Sequence, residues 1–146
     1  MISPFELRLG NIVESKGIDF KVSKILFYSG KPADYKTNFV GLWAGKVYQQ
    51  KGFDKINPIL INEFYLLKFG FDDKNIVIDG VKWYRKRSMN FTFIAIPDKG
   101  EITINKFDIK LNGYSEWKFE YKYVHQLQNL FYNITGEELL PNEAGW

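Results

Sequence analysis

The residues able to do chemistry are few. The chain of 146 residues has one histidine, His125, and no cysteine. Without thiols there is no thiolate nucleophile, no thiolate metal site and no disulfide framework. One histidine cannot make a histidine-rich metal centre. None of Ser3, Ser15, Ser23, Ser29, Ser88 and Ser115 lies in a nucleophile-elbow context. The acidic pairs Asp72-Asp73 and Glu137-Glu138 are adjacent in sequence, so their side chains point apart and serve as solvated turns or helix ends. No glycine-rich phosphate loop occurs. The inventory predicts a protein that is not an enzyme and needs no cofactor and no metal.

Two constellations remain, and both suit binding. Lys82-Trp83-Tyr84-Arg85-Lys86-Arg87 is the densest positive run. On a strand, Lys82, Tyr84 and Lys86 share one face and Trp83, Arg85 and Arg87 the other. Cations interleaved with exposed rings can hold single-stranded nucleic acid. The same run also reads as an edge strand guarded by charge, with Trp83 packed inward. A nucleic-acid surface would need further cations beside it, such as Lys106, Lys110 or Lys118.

The second constellation lies near the C-terminus. His125, Gln128, Asn129 and Tyr132 fall within a band of roughly 60° at 100° per residue. An uncharged stripe of imidazole, amides and phenol can bond bases, peptides or another subunit at little desolvation cost. It can equally be a partly buried face bonded to the protein's own loops.

These residues need elements to position them. The net charge is +3 and 18% of residues are aromatic. Such a chain has ample material for a core and is not of the disordered class. The first twenty residues carry no basic region followed by an apolar run. The apolar stretches are far shorter than a membrane span of roughly 18–20 residues. A cytoplasmic protein with no membrane partner is expected.

Residues 1–57 read as a small β subdomain. Leu7–Glu14, Phe20–Tyr28 and Asn38–Gln49 are its strand-like runs, and Ser29–Thr37 its loop. They suggest a small antiparallel barrel of the SH3-like kind. Residues 58–146 read as an α+β subdomain, although the whole chain could also form one compact domain. A short helix follows an N-cap at Asn62 and ends before Gly70. A meander follows: Ile76–Ile78, a turn at Asp79-Gly80, Val81–Arg87, Phe91–Ile96, Glu101–Leu111, a turn at Asn112-Gly113, and a last strand with Trp117, Phe119 and Tyr121. The hydrophobic phase slips between Ile104 and Phe107, which suggests a bulge or break near Asn105. Phe107, Ile109 and Leu111 are expected to point inward. A C-terminal amphipathic helix follows, with Tyr123, Val124, Leu127, Leu130, Phe131 and Ile134 on its apolar face and Thr135-Gly136 at its end. Residues 137–146 form a docked tail, with Leu139 and Leu140 able to tuck back. The fold class is α+β, rich in antiparallel strands.

Tyr123-Val124-His125-Gln126-Leu127-Gln128-Asn129-Leu130-Phe131-Tyr132, followed by Thr135-Gly136-Glu137-Glu138-Leu139, resembles the C-terminal signature of a family of uncharacterised small proteins from phages, prophages and mobile elements of Bacteroidetes. Leu7-Arg8-Leu9-Gly10-Asn11-Ile12-Val13 is similar to that family's opening. Pro58-Ile59 with Leu66–Phe71 is similar to its central helix. The family has threonine and tryptophan where this chain has Asn62 and Tyr65, and proline at Leu60. The resemblance implies a genomic context and no particular activity.

The expectation is a non-catalytic binding protein of phage or mobile-element origin, acting in the bacterial host on a protein or a nucleic acid. A nucleotide-sequestering protein and a minor virion or assembly component, the latter with a homo-oligomeric contact as an option, are the alternatives.

Overall fold

In the computed structural model of the protein, residues 2, 6–27, 38–72, 77–108 and 110–141 are described. The expected loop at 29–37, Ile76, Ile109 and the end of the tail lie outside them. The chain divides into two compact units, Met1–Leu60 with Tyr123–Trp146, and Ile61–Lys122. The class is α+β, with mostly antiparallel strands and, among the described residues, two α-helices. Among the described residues no helix is long and apolar enough to cross a membrane.

The first unit is built on strands β1 (Ile12–Ser15), β2 (Ile18–Phe27), β3 (Asn38–Ala44) and β4 (Val47–Gly52), in the order β1-β2-β3-β4. Lys16 and Gly17 both take positive φ between β1 and β2. That geometry matches the right-handed twist of a two-residue hairpin. Asn38–Gln49 is not one run. It folds back at Gly45, whose φ is 58°, to make β3 and β4. Val13, Phe20, Val22, Val40 and Leu42 alternate onto one face and pack with Leu7, Phe53 and Ile56. A bulge falls in β2 between Val22 and Lys24.

The expected SH3-like barrel does not close. The outer edge of β1 is taken by Asn57, whose backbone exchanges two hydrogen bonds of 2.8 and 2.9 Å with Glu14. With that edge occupied, the four strands stay an open sheet.

Helix α2 (Val124–Thr135) ends at Gly136, left-handed at φ 75°. It packs against β1. The helix therefore joins the N-terminal strands rather than the meander, and the boundary after residue 57 describes only one side of this unit.

The second unit holds helix α1 (Glu63–Lys68), a two-stranded hairpin and a four-stranded sheet. Asn62 caps α1 by accepting the Tyr65 N–H at 3.1 Å. The hairpin pairs β5 (Val77–Ile78) with β6 (Val81–Lys82) across Asp79 and Gly80, both at positive φ. The sheet contains β7 (Tyr84–Ser88), β8 (Phe91–Ile96), β9 (Glu101–Asp108) and β10 (Gly113–Glu120), in the order β10-β9-β8-β7. Val81–Arg87 is thus two strands with different partners, separated at Trp83.

Cross-strand partners share a face. Tyr84, Ala95, Ile102 and Phe119 form one row, and Lys86, Phe93, Ile104 and Trp117 the next. Tyr84, Ala95, Phe93, Ile102 and Ile104 on this face are buried, as are Tyr65, Leu66, Phe69 and Phe71 from the helical segment.

No bulge interrupts β9, which keeps register with both neighbours from Glu101 onward. The phase change near Asn105 is a change of face. Phe107 lies opposite to Ile104, 38% exposed, and its ring meets Tyr114 of β10 at 5.0 Å. Leu111 is not inward either, at 77% exposed, because it lies in the turn before β10. In the tail Leu139 is buried and Leu140 is exposed.

Truncating the fully buried Phe93 to alanine removes a ring from the centre of this sheet. The expected loss is about 3–5 kcal/mol in urea unfolding, while Leu111→Ala changes stability by less than about 0.5 kcal/mol.

Candidate functional site

The uncharged stripe of α2 runs from the buried His125 and Gln128 to the half-buried Asn129 and the exposed Tyr132. It receives the chain's own N-terminal segment. Gln128 is 1% exposed. Its Oε1 accepts the Ile12 N–H at 2.8 Å, and its Nε2 donates to the carbonyls of Gly10 and Leu139, each at 3.1 Å. One amide thus ties the start of β1, the turn before it and the C-terminal tail to the helix. Gly10 sits at φ 90°, a left-handed value open to glycine, and this turn presents its carbonyl to Gln128.

Asn129 extends the network. Its Nδ2 donates to the Glu6 carbonyl at 2.7 Å, and its Oδ1 accepts from Asn11 Nδ2 at 2.9 Å. Asn11 Oδ1 in turn accepts the Arg8 N–H at 2.7 Å. The Arg8 guanidinium lies 3.7 Å from the centre of the Tyr132 ring and pairs with Glu138 at 2.7 Å. Tyr132 is spent on that stacking.

His125 is buried beside Tyr123, the rings nearly parallel with centres 5.9 Å apart. Among the described residues neither ring nitrogen has a hydrogen-bond partner. Burial holds its pKa below the ordinary 6.5, with Glu6 pulling weakly upward. The structure therefore brings Gln128, Asn129 and Tyr132 together as a lock on the N-terminal segment, with His125 buried on the same helix against Tyr123. Arg8, Asn11 and Glu138 were not singled out from sequence. Their signal was the stripe itself, which asks for polar partners; Arg8 and Asn11 lie more than 100 residues away in the chain, while Glu138 lies just past the helix.

The basic run is placed on the second unit. Its cations divide between the two sheet faces and between internal and open roles. Tyr84 is buried, so its ring is not available for stacking. Burial, and then the Glu63 carboxylate beside it, raise its pKa. Lys82 Nζ pairs with Glu63 at 3.0 Å, and Lys86 Nζ donates to the Phe69 carbonyl at 2.8 Å.

Arg85 and Arg87 share the opposite face. The Arg85 backbone exchanges bonds of 2.7 and 2.8 Å with Asp72, which covers that stretch of the outer edge of β7. By the alternation of an antiparallel ladder, the Arg87 N–H and C=O point the same way, outward. A cleft of about 370 Å³ lies here, lined by Gly70, Asp72, Arg85, Lys86 and Arg87. Among the described residues, neither the Arg85 nor the Arg87 guanidinium has a hydrogen-bond or ion-pair partner.

The other cations do not gather around them. Lys118 shares the Arg85 face but sits across the whole sheet, roughly 14 Å away at the usual strand spacing. Lys106 lies on the opposite face, 5.5 Å from the Phe91 ring. Lys110 lines a separate cleft with Lys106 and Phe107. In the first unit a wider cleft of about 710 Å³ includes Glu14, Gln50, Lys51 and Asp54, with no aromatic ring among the described residues that line it. Among the described residues no three His, Asp or Glu side chains are grouped as a metal site.

The chain matches no family model, no curated protein and no solved structure.

Two outcomes follow from the lock. Gln128→Ala strands the buried Ile12 N–H and two carbonyls, and a loss of at least about 2 kcal/mol is expected in urea unfolding. His125 has a folded-state pKa below its unfolded one, so the unfolded chain binds the proton first as pH falls. Stability should decline below pH ~6.5, by up to about 1.4 kcal/mol per pH unit until the folded-state imidazole itself titrates. His125→Leu should flatten that part of a melting-temperature profile against pH.

Proposed function

We propose that this is a non-catalytic binding protein, encoded by a phage or mobile element, that acts in the bacterial host by contacting a protein. The resemblance of its opening, central helix and C-terminal signature to the phage and mobile-element family supports the context. The observation that carries the mode of action is the β7 edge. Arg85 and Arg87 lie side by side on one face there, next to a cleft, with Arg87 backbone groups directed outward.

An extended segment rich in Asp or Glu fits this edge. Guanidinium forks pair with carboxylates in two-point fashion, and a sheet edge pairs with extended backbone. A protein is favoured over nucleic acid because Tyr84 is buried and two of the four cations of the run, Lys82 and Lys86, are bonded within the unit. Single strands are held by exposed rings as well as charge, and among the described residues no exposed ring lines this cleft. The nucleotide-sequestering reading has less support, since the amide stripe it would use is bonded to the N-terminal segment.

The test is affinity capture from infected host cells with the wild-type protein and with R85E/R87E. A protein retained by the first and lost by the second, with unchanged melting of both, is the expected result. Equal retention by both forms would remove the β7 edge from the mechanism. Salt-dependent capture of oligonucleotides, lost in the same variant, would put nucleic acid in the partner's place.

A further inference from the structure

The other edge of the same sheet is built differently, and it goes beyond the partner-binding reading. Strand β10 runs for eight residues, in unbroken register with β9. The Tyr121 N–H bonds to the carbonyl of its direct partner Gly100, which sets the hydrogen-bonding phase of the strand. Odd-numbered residues of β10 therefore bond to β9. The N–H and C=O groups of Tyr114, Glu116, Lys118 and Glu120 point away from the sheet. Among the described residues nothing pairs with them. The strand has no proline and no bulge, the usual devices that blunt an edge. Trp117, 44% exposed, and Tyr114, 75% exposed, add unburied rings to it.

A lone lysine on an edge repels a copy of itself. Here Lys118 is followed in space by Glu116 on the same face, 3.9 Å away. We propose that β10 pairs with β10 of a second copy of this chain, antiparallel about a two-fold axis at Trp117, joining the two sheets into one of eight strands.

Charge and phase select this register. Centring on Trp117 sets Glu116 opposite Lys118 of the second copy, and Lys118 opposite its Glu116. Those residues carry the outward backbone groups, so each pair also exchanges two backbone hydrogen bonds. Tyr114 then meets Glu120, which uses the whole strand. Shifting the centre to Glu116 or Lys118 keeps the backbone phase but sets like charges face to face. Shifting it to Phe119 calls on Lys122, whose carbonyl already accepts the Ile61 N–H. At the axis the two Trp117 residues form a close, non-hydrogen-bonded pair, and their rings cover one another.

Light scattering and sedimentation over a dilution series should show a monomer–dimer equilibrium. Glu116→Lys and Lys118→Glu, each at an exposed position, should each weaken dimerisation by at least about tenfold. The double swap E116K/K118E restores opposite charges and should return the dimer. An equimolar mixture of the two single variants should form a mixed dimer. Because the chain has no cysteine, Trp117→Cys gives a second readout. It should oxidise to a covalent dimer. Ser115→Cys should not, since its counterpart would sit four residues away along the strand, about 14 Å. A monomer at every concentration overturns the proposal. So does a dimer indifferent to E116K and K118E, or one cross-linked as readily through S115C.

Discussion

The amide of Gln128 is the point on which the first unit depends. Its oxygen receives the Ile12 N–H and its nitrogen serves the carbonyls of Gly10 and Leu139, the first and last of these bonds buried. Each of those backbone groups would otherwise be desolvated without a partner, which is more costly than the bond itself is favourable. The amide also fixes geometry. β1 begins where Ile12 meets the helix, and Asn57 covers the same outer edge two residues on. Asn129, Asn11, Arg8 and Glu138 continue the same contact outward to the surface. The opening at Leu7–Ile12 and the helix near the C-terminus are thus the two halves of one hydrogen-bonded lock.

Local elements were legible because their causes are local. Asn62 caps α1, Gly136 stops α2 in the left-handed region, and Asp79-Gly80 turns a hairpin. These are preferences of single residues for single backbone states. The identity of the β7 run as a charged edge was legible too, from Lys and Arg alternating about Tyr84. What alternation does not encode is which face another element will cover. Phe107 and Leu111 looked like core on periodicity alone, yet Phe107 sits on the more open face and Leu111 in a turn. The helix stripe posed the same problem at longer range. Its amides announced hydrogen bonding, and the partners at Gly10, Asn11 and Ile12 could be found only once the chain had folded.

The two edges of the second sheet show how differently one fold can treat the same hazard. β7 is short. Asp72 caps it at Arg85, and its one lysine, Lys86, is directed to the Phe69 carbonyl. β10 is long, regular and nearly neutral, with acid and base alternating along one face. Neutrality achieved by opposite charges differs from neutrality by absence of charge. The first carries a register and the second does not, so an edge of this kind discriminates among the strands that approach it.

The first unit is assembled from both ends of the chain, with Ile61–Lys122 between its two pieces. Where the chain leaves and returns, Leu60 and Tyr123 lie as antiparallel partners, and the Val124 N–H reaches the Ile59 carbonyl at 2.8 Å. On the ribosome the strands emerge well before the helix that completes them. The intervening unit has every residue it needs sooner. Vectorial synthesis therefore imposes an order, in which the inserted sheet can settle while the Ile12 amide still waits in water for its glutamine.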